Sequence, residues 1–181
     1  MNGTASIDSI VDEDIWAWLK GFVTVKNAFY HKKFAPCPYA RSAILAAQVD
    51  VTVYLTGDVR AHIREKSIEL RDTPSLSTRV MAFPPRIQFQ WGISEFVETL
   101  NVELIADNVF LNTGVTKTKT SRYPGPLSKD PYFIVVANRL GAVLSGAEAL
   151  QRTAYYKDWP SDQYELVVER RERMARRYGR T

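Results

Sequence analysis

An α+β fold, with a small central sheet of three to four strands packed by helices, is predicted by three features of the sequence. First, the runs Val49 to Thr56, Leu76 to Phe83 and Tyr132 to Ala137 are β-rich, short and bounded by turn residues. Second, stretches with apolar residues at helical spacing lie between them, so strands and helices interleave. Third, the spacing of the three runs admits a ferredoxin-like, split βαβ arrangement. At 181 residues the chain suits one domain, 1–181, with a real core.

Ser6 to Asp14 carries helix-start chemistry, with acidic residues near the positive end of a helix dipole. Ile15, Trp18, Leu19, Phe22 and Phe29 then recur at helical spacing and predict a helix from about Ser9 to about Tyr30. Gly21 and the β-branched Val23, Thr24 and Val25 are its weak point. Pro38 to Gln48, rich in Ala, reads as a second helix with Ile44 and Leu45 turned inward; these two form an extra N-terminal helix pair. Gly57 ends the first strand and Asp58 caps a helix over Val59 to Leu70, with His62, Arg64, Glu65 and Lys66 on its wet side. A turn at Thr73-Pro74-Ser75 leads into the second strand, which Pro84-Pro85 stops.

Ser94 to Ala106 is the next helix, capped by Ser94 and burying Phe96, Val97, Leu100, Leu104 and Ile105. Asn108 to Asn112 adds a short strand. The least regular stretch follows, Thr113 to Pro131, where Lys117, Lys119, Arg122 and Lys129 sit among glycines and prolines. A loop of that length is usually functional or disordered. After the strand at Tyr132 come a helix over Ala142 to Gln151 and an aromatic connector, Tyr155 to Pro160. A final basic helix, starting at Ser161 or Asp162 and ending near Tyr178, turns Tyr164, Val167, Val168 and Met174 inward. Arg170, Arg171, Arg173, Arg176 and Arg177 are expected mostly outside.

Composition narrows the function classes. A net charge of +4 is modest, but the first fourteen residues are acidic and the last dozen hold most of the basic surplus. One cysteine excludes an intramolecular disulfide framework, and two histidines with no second cysteine exclude the common structural zinc patterns. A reducing, cytoplasmic compartment fits best. No run approaches the ~18 apolar residues of a membrane span, so no membrane partner is expected. Glycine-rich phosphate loops, nucleophile elbows and His-Glu-x-x-His helices are missing, so no cofactor is assignable and the reaction class, enzymatic or not, stays open.

The most chemically suggestive stretch is Ala35-Pro36-Cys37-Pro38-Tyr39-Ala40-Arg41, which sets the lone cysteine at what reads as the first turn of a helix. Unpaired backbone N–H groups and the dipole there lower a thiol's pKa, and Arg41, one turn on, adds to the effect. His31 is either an exposed helix-end residue or a proton carrier for Cys37. Against an active thiol stands the ordinary behaviour of cysteine as a small buried apolar side chain.

Cys37-Pro38-Tyr39-Ala40 resembles the active-site tetrapeptide of glutaredoxins, with Ala40 in place of the second cysteine. That likeness implies at most a monothiol route through an external thiol. No strand-like run precedes Cys37, as a thioredoxin-like fold requires. Over more of the chain the sequence resembles an uncharacterised bacterial family with a Trp-bearing N-terminal helix, a Cys-Pro-Phe-Ala-Lys/Arg motif and a later Asn-Arg-Ser-Pro-Tyr-Pro-like segment. Trp16 or Trp18 with Phe22, Cys37 to Arg41, and Ser121 to Pro124 followed by Tyr132 to Arg139 carry the likeness. It implies a fold and a site location, not a reaction.

Two functions are therefore open. In one, Cys37 is a reactive or ligand-contacting thiol, with Arg41 and His31 as partners; Tyr39, Lys117, Lys119 and Arg122 then hold an anionic small molecule. In the other, the protein is non-enzymatic and its basic C-terminal helix and Lys-bearing loop dock an acidic protein or, on a weaker case, nucleic acid.

Overall fold

The computed structural model describes residues 7–30, 33–84, 92–113 and 129–179. Among these, four strands form one sheet: β1 (Val49–Val53), β2 (Thr78–Phe83), β3 (Val109–Thr113) and β4 (Phe133–Arg139), in the order β1-β2-β4-β3. β1 and β2 pair in parallel, and β4 runs antiparallel to both of its neighbours. Helix α3 (Val59–Asp72) makes the crossover from β1 to β2, and α4 (Ile93–Leu104) the crossover from β2 to β3. Because β4 is inserted between β2 and β3, the second crossover is a split βαβ unit, as the strand spacing allows. The full ferredoxin-like order is not followed: strands and helices run β-α-β-α-β-β, and β1 adjoins β2 directly.

Strand alternation divides the apolar residues between two faces. Met81, Phe83, Phe133, Val135, Ala137, Val109 and Leu111 pack with Ile63 and Leu70 of α3 and with Val97 and Leu100 of α4. Both crossovers advance the same way across the sheet with their helices on this one face, as a single connection handedness demands. Val80, Ala82, Ile134 and Val136 pack on the other face against Val11, Ile15, Trp18 and Leu19. The latter belong to α1 (Ile7–Trp18) and to the π-helical turn Leu19–Val23 that continues it. α2 (Ala40–Leu45) and α5 (Leu140–Gln151) also line this second face, with the last helix beyond them. That helix comprises α6 (Ser161–Tyr164), a π turn (Glu165–Glu169) and α7 (Arg170–Tyr178).

Polar side chains close the places where backbone groups lack ladder partners. Asp58 caps α3 by accepting from the N–H groups of Arg60 at 2.9 Å and Ala61 at 3.1 Å, after Gly57 makes a turn at φ +106° that only glycine adopts without strain. At the other end of α3, the Arg139 guanidinium donates to the carbonyls of Leu70, Arg71, Thr73 and Leu76. The free edge of β3 is covered by the fully buried Asn101. Its amide donates to the Leu111 carbonyl and its oxygen accepts from the Leu111 N–H. Arg79, 7% exposed, pairs with Glu69 and with Asp50, its register partner on β1.

Several expectations are corrected. The first helix stops at the π turn instead of running to Tyr30, and Thr24, whose hydroxyl bonds back to the Lys20 carbonyl, follows it. α2 is only six residues long and ends before Ala47, which lies at φ +54°; Ile44 packs inward but Leu45 is 79% exposed. Gly92 at φ +81°, not Ser94, precedes α4. His62 is buried, not wet: its ring stacks on Tyr54 with centroids 4.0 Å apart and meets the edge of Phe83. Arg171 is also buried, at 4% exposure, although the sequence placed it outside. The π turn just before α7 adds a residue to the helical repeat, so a pattern read at 3.6 residues per turn assigns the wrong side beyond it.

Candidate functional site

Where the second sheet face is not met by α1, a cavity of about 610 Å³ remains between the sheet and the helices around it. Val49, Val80 and Val136, with Thr78, Asn112 and Asn138, form its floor. One wall is Trp18, Leu19 and Val23 with the Pro36 to Ala40 turn; the facing wall is Val143, Gly146, Ala147 and Leu150 of α5. Tyr155, Tyr156 and Trp159 from the connector, then Gln163, Leu166, Val167, Arg170 and Arg171 from the last helix, complete it. Both π turns contribute lining residues. Such turns swell a helix by one residue and are frequent at functional sites.

Cys37 is held in this wall from two sides. Its N–H donates to the Val23 carbonyl at 3.0 Å, at the end of the first π turn. The preceding Pro36 carbonyl accepts from the Tyr155 hydroxyl, and the Tyr155 ring stacks on the buried Tyr30. Cys37 is half-buried as a residue and lines the cavity, with its sulfur against the apolar packing of the second sheet face. Burial pushes the thiol up from its ordinary pKa, and the backbone N–H groups of Ala40 and Tyr39 offset this only in part. The activating helix terminus is thus outweighed by desolvation, which corrects the expectation of a lowered thiol. With six residues, α2 offers little dipole to oppose it.

The other predicted site residues separate. Tyr39 is in the wall: its hydroxyl donates to the Gly146 carbonyl at 3.1 Å, and its ring lies where a Cβ on residue 146 would fall 2.9 Å from Cε2. Glycine there lets α5 approach the ring. Arg41 is exposed, lies outside the cavity lining and is not among the groups acting on the Cys37 thiol. His31, Lys117, Lys119 and Arg122 lie outside the described residues. Among the described residues no three His, Cys, Asp or Glu side chains group to hold a metal ion, and no helix is long and apolar enough to cross a membrane.

No family, characterised protein or solved structure matches this chain. The site is therefore read from its own chemistry. Among the described residues eight buried side-chain N or O atoms have no hydrogen-bond partner, and five of them belong to residues of this cavity: Trp18 Nε1, Trp159 Nε1, Gln163 Nε2, Arg170 Nε and Arg171 Nε. All five are N–H donors. Buried donors without partners are rare in folded proteins, and five of the eight belong to residues lining this one largely apolar space.

Sequence reasoning missed most of this lining. The aromatic connector and the narrow apolar side of the last helix were visible, but not that they close over Cys37. Tyr155, Tyr156 and Trp159 meet one another at centroid distances of 4.8 to 5.4 Å, an aromatic wall that local spacing does not reveal. The exposed arginines of the last helix are mostly engaged. Arg173 pairs with Glu165 and Glu169, and Arg176 with Glu172. The half-buried Arg170 pairs with Glu98. Arg177 lies over the Tyr178 ring.

Proposed function

We propose that this protein binds a small, mainly apolar molecule in the cavity between the sheet and helices α1, α2, α5 and α7, with Cys37 and Tyr39 as wall residues. One observation carries this reading: a space of about 610 Å³, walled chiefly by aliphatic and aromatic side chains, falls within the roughly 300–1,000 Å³ typical of small-molecule sites. The raised thiol supports binding over thiol chemistry, because a protonated sulfur is a poor nucleophile. The internal ion pairs of the last helix favour this reading over docking of an acidic partner. A neutral, environment-sensitive fluorophore, N-phenyl-1-naphthylamine, tests it. Its emission is expected to rise on titration with the protein, and to do so far less with Ala147→Phe, which fills the cavity from α5; circular dichroism verifies that the variant is folded. Equal enhancement by both proteins, or none by the wild type, refutes the proposal.

A further inference from the structure

The cavity holds one feature that an entirely apolar ligand leaves unexplained. Arg171 is 4% exposed, lines the cavity, and makes no hydrogen bond or ion pair with any described residue. Its neighbour Arg170 is engaged by Glu98 at 2.7 Å and by the Phe110 ring, so the two adjacent guanidinium groups have different surroundings. A carboxylate whose field reaches Arg171 is Glu172, but that group accepts from Gln151 at 3.2 Å and faces Arg176. Burial depresses the Arg171 pKa, while Tyr156 and Glu172 act the other way. Tyr156, itself pushed up to about 12 by burial, lines the same cavity as Arg171 and Cys37. An arginine stays protonated at neutral pH, and a buried cation without a counter-charge is costly to keep. No carboxylate among the described residues pairs directly with Arg171, which leaves that role to what occupies the space.

Resting on the binding reading above, we infer that the ligand is an amphipathic monocarboxylate, its apolar body in the cavity and its carboxylate on Arg171. A guanidinium presents a planar fork that matches a carboxylate in a bidentate pair. The neighbouring unpartnered donors, Trp159 Nε1 and Gln163 Nε2, belong to the same wall and are neutral. One uncompensated positive charge balances one negative charge; a dianion would leave the apolar cavity with a net charge.

Displacement of N-phenyl-1-naphthylamine by decanoate and by 1-decanol, of equal chain length, tests the inference. Decanoate is expected to compete roughly tenfold or more better than decanol against the wild type, the scale of a buried charge-assisted hydrogen bond. Arg171→Met, with each competitor compared at the variant's own measured affinity for the probe, should lose that preference. Equal competition by acid and alcohol against the wild type, or a preference that survives in Arg171→Met, overturns the carboxylate assignment and leaves the cavity reading standing. If the neutral probe itself fails to bind the wild type, both fall. The wild-type comparison needs no variant, so misfolding of Arg171→Met cannot mask the answer.

Discussion

Replacing Arg171 by methionine should make the ligand-free protein more stable, although it removes the most deeply buried charge among the described residues. At 4% exposure Arg171 has given up most of its contact with solvent, and its buried Nε has no hydrogen-bond partner among the described residues. Even buried charges that do have partners are often replaced by apolar side chains with a gain of about 1–4 kcal/mol. Methionine keeps a similar length, adapts to irregular space and puts an apolar side chain in place of a desolvated cation in a largely apolar wall. Taking about 1–2 kcal/mol as the gain, the midpoint of thermal unfolding should rise by roughly 2–8 °C for a chain of this size. Ligand should narrow the gap: at about 100 times the wild-type Kd, decanoate adds about 2.7 kcal/mol to the wild type and only about 1.4 kcal/mol to a variant that binds it tenfold more weakly. Differential scanning calorimetry with and without decanoate reads both effects. A ligand-free variant destabilised by more than about 2 kcal/mol would refute the reasoning, since Arg171 would then hold the fold together.

Arg139→Met should destabilise the protein by about 3–5 kcal/mol in urea unfolding, because four carbonyls at the end of α3 and in the following turn lose their charged donor together. The imidazole of His62 is held below its ordinary pKa by burial and by Lys66, so the unfolded chain takes up the proton first as pH falls. Stability should therefore drop as pH is lowered through about 6.5, and His62→Phe should flatten that part of the profile. Cys37, the single thiol, should react with iodoacetamide more slowly than a free cysteine at neutral pH and accelerate only above about pH 8.5. Saturating N-phenyl-1-naphthylamine should slow it further; a rate unaffected by the probe would place the thiol outside the binding space.

Fold class was legible because alternation and helical spacing are local signals. Val80 and Met81, adjacent in sequence, point into different cores on opposite faces, as the period of two requires. Asp58 as a cap could be read directly from the sequence, since a cap involves only the next three residues. The strand order could not: β4 enters between β2 and β3, and nothing in its residues names its neighbours. At the site, Cys37 and Tyr39 were found from a short motif, whereas Arg171 was assigned to solvent and Tyr155, Tyr156 and Trp159 were seen only as a connector. Charge pattern is the signal that misleads here, because Arg171 sits in a run of arginines of which Arg170, Arg173 and Arg176 pair with glutamates.

By itself, then, the chain determined where most strands and helices lie, though not where the first two helices stop, and that its one sulfur sits at a proline-flanked turn, since both depend on neighbours within a few residues. Only the tertiary structure decided that this turn, two π-helical stretches and an aromatic cluster enclose one apolar space with the buried Arg171 in its wall. Enclosure joins residues more than a hundred positions apart, from Trp18 to Arg171, and desolvation, which sets the state of both the thiol and the guanidinium, exists only once those residues have met.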